Sequence, residues 1–204
     1  METIELQYIL DHSPMLSSLN AVVCAKDQLP HRRPSHVRGY IVNTDNSDQP
    51  GQHWVAIYFN KDNTAYYFDS YGIPPSQRDI QSFLERHGRY TWNFMRLQED
   101  FTFVCGLYCV YALHFLVRGC DLNKLLRSKF RTEDQYNFEL NDYSVGMWFQ
   151  SHYGQLYKQS RMIRGEHVCN QTCHAVHPLP SSDRRFYFDI VAGCLDRCRY
   201  ERSR

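Results

Sequence analysis

No stretch of this chain is apolar for long enough to cross a bilayer. The longest such run, Leu107 to Val117, is interrupted by His114 and falls well short of the ~20 residues that a membrane helix needs. No basic n-region followed by an apolar h-region opens the chain. METIELQYILDHSP is acidic and amphipathic instead, so no export signal is expected. Net charge is almost absent: 23 Lys and Arg against 22 Asp and Glu leave +1. That excludes a global field strong enough to gather nucleic acid or an anionic membrane. The excess positive charge near the end (Arg184, Arg185, Arg197, Arg199, Arg202, Arg204) reads first as a solvated tail, with a nucleic-acid contact the weaker alternative. There is no internal repeat and no low-complexity segment.

What the chain does have is apolar mass. Of 204 residues, 43% are hydrophobic and 15% aromatic, enough for a sizeable core and too much for wholesale disorder. The eight cysteines are even in number, as in a disulfide framework, but a chain of this size is stable without staples. An intracellular, reducing compartment is expected, with the cysteines as core residues, nucleophile or metal ligands. Nucleus, cytoplasm and virion are equally compatible with it.

The pattern predicts an α+β fold. Residues 2–11 carry Leu6, Ile9 and Leu10 at helical spacing, although Ile4, Leu6 and Tyr8 also alternate as a strand would. Three strand-like runs follow, RGYIVNT (38–44), HWVAIYF (53–59) and AYYFDS (65–70), joined by polar linkers as in an antiparallel meander. Ser76 and Asp79 resemble a capping box ahead of a helix with Ile80, Phe83 and Leu84 on one face. Trp92, Phe94 and Leu97 suggest a further strand ending at Gln98. Residues 106–118 are apolar almost all round and end at Gly119, which predicts a buried central helix with a glycine cap. More helices are expected over 121–129 and 143–157. Composition changes near residue 160, so 1–159 reads as the main domain and 160–204 as a Cys-, His- and Arg-rich appendage.

Cys105 sits where a polar segment (Gln98, Glu99, Asp100) meets the buried helix. A thiol attacks a carbonyl only as thiolate. The positive end of a helix favours that form by ~0.3–1 kcal/mol, and a nearby imidazole must supply the rest. His53 opens a strand after a Gly-containing turn, where it can face a cleft. Asp69 lies in an aromatic run on the next strand, an unusual place for a carboxylate without a partner. Adjacent strands could set Asp69 beside His53, to orient the ring and stabilise the imidazolium. The amide of Gln98, with the backbone N–H of Cys105, could donate to a developing oxyanion, and such donors are worth ~3 kcal/mol. Singly, each residue also has an ordinary reading: core cysteine, surface histidine, turn aspartate, exposed glutamine.

Taken together, IVNT (41–44), GQHW (51–54), YYFDSYG (66–72), Gln98 and CGLYC (105–109) resemble the adenovirus protease (adenain) family and its relatives in Maverick/Polinton-type transposons. More distantly they resemble the ubiquitin-like-protein proteases. The resemblance spans residues 1–155 or so. It implies a small mixed sheet packed with helices and a nucleophile at the N-terminus of the central helix. It also implies thiol endopeptidase activity on protein or peptide substrates with small, Gly-containing residues near the cut, such as viral- or transposon-type structural precursors. By the same resemblance His53 is the base, Asp69 its partner, Cys105 the nucleophile and Gln98 an oxyanion donor, with no cofactor required. An isopeptidase acting on ubiquitin-like modifiers is an alternative. That branch usually has an acidic residue before Cys-Gly, and this chain has Val104. A catalytically silent binding module is the third reading. Adenovirus enzymes are activated by a viral peptide bonded through a cysteine upstream of the nucleophile. Between Cys24 and Cys105 this chain has none, so an activating peptide or protein would have to bind otherwise.

The tail reads Cys169-x3-Cys173-His174-x2-His177, then Cys194-x3-Cys198. Four thiolates, or three with a histidine, would close a structural zinc site. The x3 spacings fit common zinc fingers poorly, and free or buried thiols are the competing reading.

Overall fold

A computed structural model describes residues 1–130 and 135–163. The cysteines of the proposed zinc site and the appendage beyond residue 163 lie outside the described residues. Among the described residues no group of three or more His, Cys, Asp or Glu could hold a metal ion. No described helix is long and apolar enough to cross a membrane.

Five strands form one mixed sheet in sequential order: β1 (Val22–Ala25), β2 (Gly39–Asn43), β3 (Trp54–Phe59), β4 (Ala65–Phe68) and β5 (Tyr90–Trp92). The expected meander is present as β2, β3 and β4, which run antiparallel, while the two edge strands pair in parallel. Parallel pairing needs a crossover. β5 is fed by helix α2 (Arg78–Arg86), which lies between β4 and β5 in the chain. Every residue of β2 and β3 is buried, because both faces of the sheet are covered. Trp54, Ala56 and Tyr58 face one core with helices α1 (Thr3–His12), α3 (Cys105–Val117), α4 (Leu122–Lys129) and α5 (Gln135–Ile163). Val55, Ile57 and Phe59 face a smaller core closed by Ile80, Phe83 and Leu84 of α2. The alternation along β3 is that of a strand with side chains pointing to opposite faces.

Four elements differ from their expected form. β1 is only four residues long, too short for a periodic signal. Its free edge is stitched to α1 by Gln7, which donates to the Ala21 carbonyl at 3.0 Å and accepts the Val23 N–H at 2.8 Å. Helix α2 is capped by Gln77 without a side-chain bond, so Ser76 lies one residue outside it and Asp79 merely occupies the first turn. The strand ending at Gln98 stops at Trp92, because Asn93 turns its amide onto Asp69 and the chain leaves the sheet. Helix α5 starts well before residue 143 and runs through the 159/160 boundary to Ile163. Its first turns carry Asn137, Asn141 and Asp142 rather than an apolar stripe. The His114 that interrupts the apolar helix packs at the α3–α5 seam, where its Nδ1 hydrogen-bonds the Tyr153 hydroxyl at 2.6 Å. Burial first, then Arg118 and His152, push it down to about 4, so the ring is neutral.

Candidate active site

His53 immediately precedes β3, and Asp69 immediately follows β4. The register pairs Ala56 with Phe68. Carried three residues further, it sets His53 opposite Tyr71 and diagonal to Asp69 on the same face. His53 Nε2 and Asp69 Oδ1 are 3.0 Å apart, with the carboxylate almost fully buried. The Tyr71 N–H donates to the same oxygen at 2.8 Å. The ring of Tyr71 lies against the imidazole, with centroids 5.1 Å apart.

Asp69 is held from behind by Asn93, which is completely buried. Asn93 Oδ1 accepts the Asp69 N–H at 2.7 Å, and its Nδ2 donates to the Asp69 carbonyl and to Met95 O. One side chain thus satisfies both main-chain groups of Asp69 and places the carboxylate beneath the histidine.

Cys105 is the first residue of α3 and is 6% exposed. Burial pushes its thiol up. The hydrogen bond and charge of His53, with the Trp54 backbone N–H, outweigh that and hold it below the ordinary thiol value. The same contact acts on His53. Burial there works against the charged ring, but its hydrogen bonds to Asp69 and Cys105 raise it to about 9. The two shifts belong to one coupled pair, and both favour thiolate with imidazolium over the neutral pair. The Val104 carbonyl accepts from Leu107 and Tyr108. The N–H groups of Cys105 and Gly106 therefore meet no acceptor among the described residues, and a helix N-terminus with two free donors faces the thiol.

Gln98 is brought to this neighbourhood but is fully enclosed. Its Oε1 accepts the Ser70 hydroxyl at 2.6 Å. Its Nε2 donates to Thr102 O and Oγ1, both at 2.8 Å, and to the Tyr71 hydroxyl at 3.2 Å. Ser70 O takes the N–H groups of Leu97 and Gln98 at 2.8 and 3.0 Å. Two consecutive residues of α5 grip the chain on either side of Gln98. Asn141 Nδ2 donates to Leu97 O at 3.2 Å, and Asp142 Oδ2 accepts the Glu99 N–H at 3.4 Å. Asp142 Oδ1 also accepts the Tyr108 hydroxyl at 2.8 Å.

Sequence reasoning missed Asn93, Asn141 and Asp142. Asn93 gave the same signal as Asp69, a polar residue inside an aromatic run (YTWNF). Asn141 and Asp142 gave none, because polar residues on a helix usually face water.

Burial pushes the Asp142 carboxyl up to about 7, against hydrogen bonds from Tyr108, Thr102 and Glu99 that lower it. A carboxyl raised in the folded state binds more protons there than when unfolded, so its contribution to stability falls between pH 4 and 7. Asp142→Asn removes that loss. The Tm of the variant relative to the parent is expected to rise from pH 5 to about pH 7 and to level off above it in a thermal melt. A flat difference would mean that Asp142 does not titrate in this range.

No family model matches the chain. A cysteine protease of African swine fever virus is 25% identical over 127 residues, covering 56% of this chain and 46% of that protein. The chain thus spans under half the length of the curated relative it matches. A crystal structure of the protease of that virus aligns over 54% of this chain and 44% of its own, at 23% identity and a TM-score of 0.33.

Proposed function

We propose that this chain is a cysteine peptidase in which Cys105 attacks the scissile carbonyl. The observation that carries the reading is the 3.0 Å His53–Asp69 hydrogen bond, made by a ring that also holds the Cys105 thiol below its ordinary value at the start of α3. The likeness to a viral cysteine protease supports it independently of the site geometry. In the first step the Sγ–C bond forms and the carbonyl π pair moves onto oxygen. Collapse then breaks the C–N bond, and the imidazolium of His53 gives its proton to the leaving amine. His53 next takes a proton from water as it adds to the thioester, and collapse breaks the S–C bond and restores the thiolate–imidazolium pair. Asp69 keeps the ring oriented throughout and stabilises its charged form. The N–H groups of Cys105 and Gly106 receive the oxyanion, while Gln98 is fully buried. Phe101 and Phe103, 94% and 83% exposed just before the nucleophile, offer apolar edges to a bound polypeptide.

The finer reading is an adenain-type processing endopeptidase cutting at Gly-containing sites. Val104 in place of an acidic residue favours it over a deconjugase of ubiquitin-like modifiers. No cofactor takes part in this chemistry. The zinc reading of Cys169, Cys173, Cys194 and Cys198 remains a proposal about the appendage.

Cys120 supplies an internal control. It is more exposed than Cys105, but burial and Asp121 raise its thiol rather than lower it. Iodoacetamide at pH 7 is expected to alkylate Cys105 at least about tenfold faster than Cys120, read by peptide mass spectrometry. Equal rates at the two sites would sink the thiolate assignment.

A further inference from the structure

The contacts of Gln98 leave a gap in the chemistry just proposed. An amide nitrogen has two protons. In Gln98 one is directed to Thr102 and the other to the Tyr71 hydroxyl. The side chain is also completely buried, so a substrate oxygen cannot reach it while these contacts stand. Tyr71 lies between Gln98 and His53. It is only partly buried, its ring rests on His53, and Arg96 stacks over it with the guanidinium carbon 5.9 Å from the ring centre. Because the phenol oxygen accepts from Gln98, its own proton is left to donate elsewhere. Among the described residues no acceptor takes it.

We propose that the Tyr71 hydroxyl is a catalytic oxyanion donor, acting beside the Cys105 and Gly106 N–H groups, and that Gln98 serves as the positioning residue that aims it. The inference rests on the cysteine-peptidase reading. When the thiolate adds to a carbonyl carbon, the π pair settles on the oxygen, and the Tyr71 O–H donates to it without transferring its proton. Burial, then the neighbouring Cys105 and Asp142 charges, push the phenol up to about 12, so it keeps that proton at neutral pH. Ser70 and Thr102, both buried, fix the two ends of the Gln98 amide. That removes the freedom to flip the amide and reverse the direction of the Tyr71 bond. The preorganised donor then costs no reorganisation at the moment of attack.

A peptide aldehyde tests this, because thiolate addition gives a hemithioacetal whose oxygen occupies the oxyanion position. Alkylation by iodoacetamide displaces iodide from a saturated carbon and forms no oxyanion. Protection of Cys105 from iodoacetamide by a tripeptide ending in glycinal would be titrated for the parent and for Tyr71→Phe. The variant is expected to need about tenfold or more aldehyde for half-protection. Its unprotected alkylation rate should stay within about twofold of the parent. Equal protection in both proteins would overturn the proposal. So would a parallel fall in the alkylation rate, which would make Tyr71 a support for the His53 ring. A parent Cys105 that alkylates fast but gains no protection would also overturn it, leaving the thiolate reading in place. A parent Cys105 that alkylates no faster than Cys120 would remove the peptidase reading, and this inference with it.

Discussion

Cys105→Ala is expected to lower peptide-bond hydrolysis by about 10⁴-fold or more, since nothing else in the site can form the covalent intermediate. The measurement is direct. A proteome is incubated with the parent or the variant, and the new N-termini are sequenced. Termini that appear only with the parent report both activity and cleavage preference. Identical sets in the two samples would end the enzyme reading and leave the binding-module alternative. The substitution also has a consequence for His53, whose value of about 9 depends partly on its hydrogen bond to Cys105 and the charge there. Removing the thiolate should bring the imidazole down, visible as an earlier titration in NMR. The sign for stability follows. A histidine raised in the folded state contributes fully below its unfolded value of 6.5, and the contribution is lost as pH rises through about 9. In Cys105→Ala that loss should begin at lower pH.

Asn93→Ala should be the most damaging change at a residue that never meets substrate. It strips partners from the Asp69 N–H and carbonyl at a fully buried position. The N–H is left unpaired, which costs about 1–3 kcal/mol, while the carbonyl keeps the Gly72 N–H. For a chain of this size that cost is a fall in Tm of roughly 2–12 °C. The carboxylate beneath His53 would also lose its anchor. kcat/KM should therefore drop by about tenfold or more even at temperatures where the variant is folded. Asn93→Asp should be worse, because it aims a second carboxylate at the Asp69 carbonyl. A Tm for Asn93→Ala within about 1 °C of the parent would show that water or a backbone shift replaces the lost bonds.

The sheet and the central helix were legible because their signals are local. A residue such as Ile57 is apolar on a strand buried on both faces, and helix α3 is apolar all round, so each declares its place without reference to the rest. The spacing of His53 and Asp69 was legible for a related reason: two adjacent antiparallel strands joined by a short turn bring their far ends together. The surroundings of Gln98 were not legible. Its partners are Ser70, Tyr71 and Thr102, and the chain around it is held by Asn141 and Asp142 from far along the sequence. Those bonds involve main-chain groups of an irregular loop, which carry no residue-type signature. β1 was missed because four residues hold too little periodicity, and the first turns of α5 because their polar side chains bind a loop instead of facing water.

The grip of α5 on the segment around Gln98 bears on how the protein breathes. Loops that carry catalytic groups are commonly the first parts of a protein to open, with free energies near zero. Here the carbonyl before Gln98 and the amide after it are tied to Asn141 and Asp142, while Ser70 holds the backbone between them. Exchange of the Gln98 and Glu99 amides with solvent then has to wait on a larger fluctuation, one that parts the helix or the end of β4 from the rest. The segment around Gln98 is expected to keep the slow clock of the core, with faster motion confined to the exposed Phe101 and Phe103 beside it.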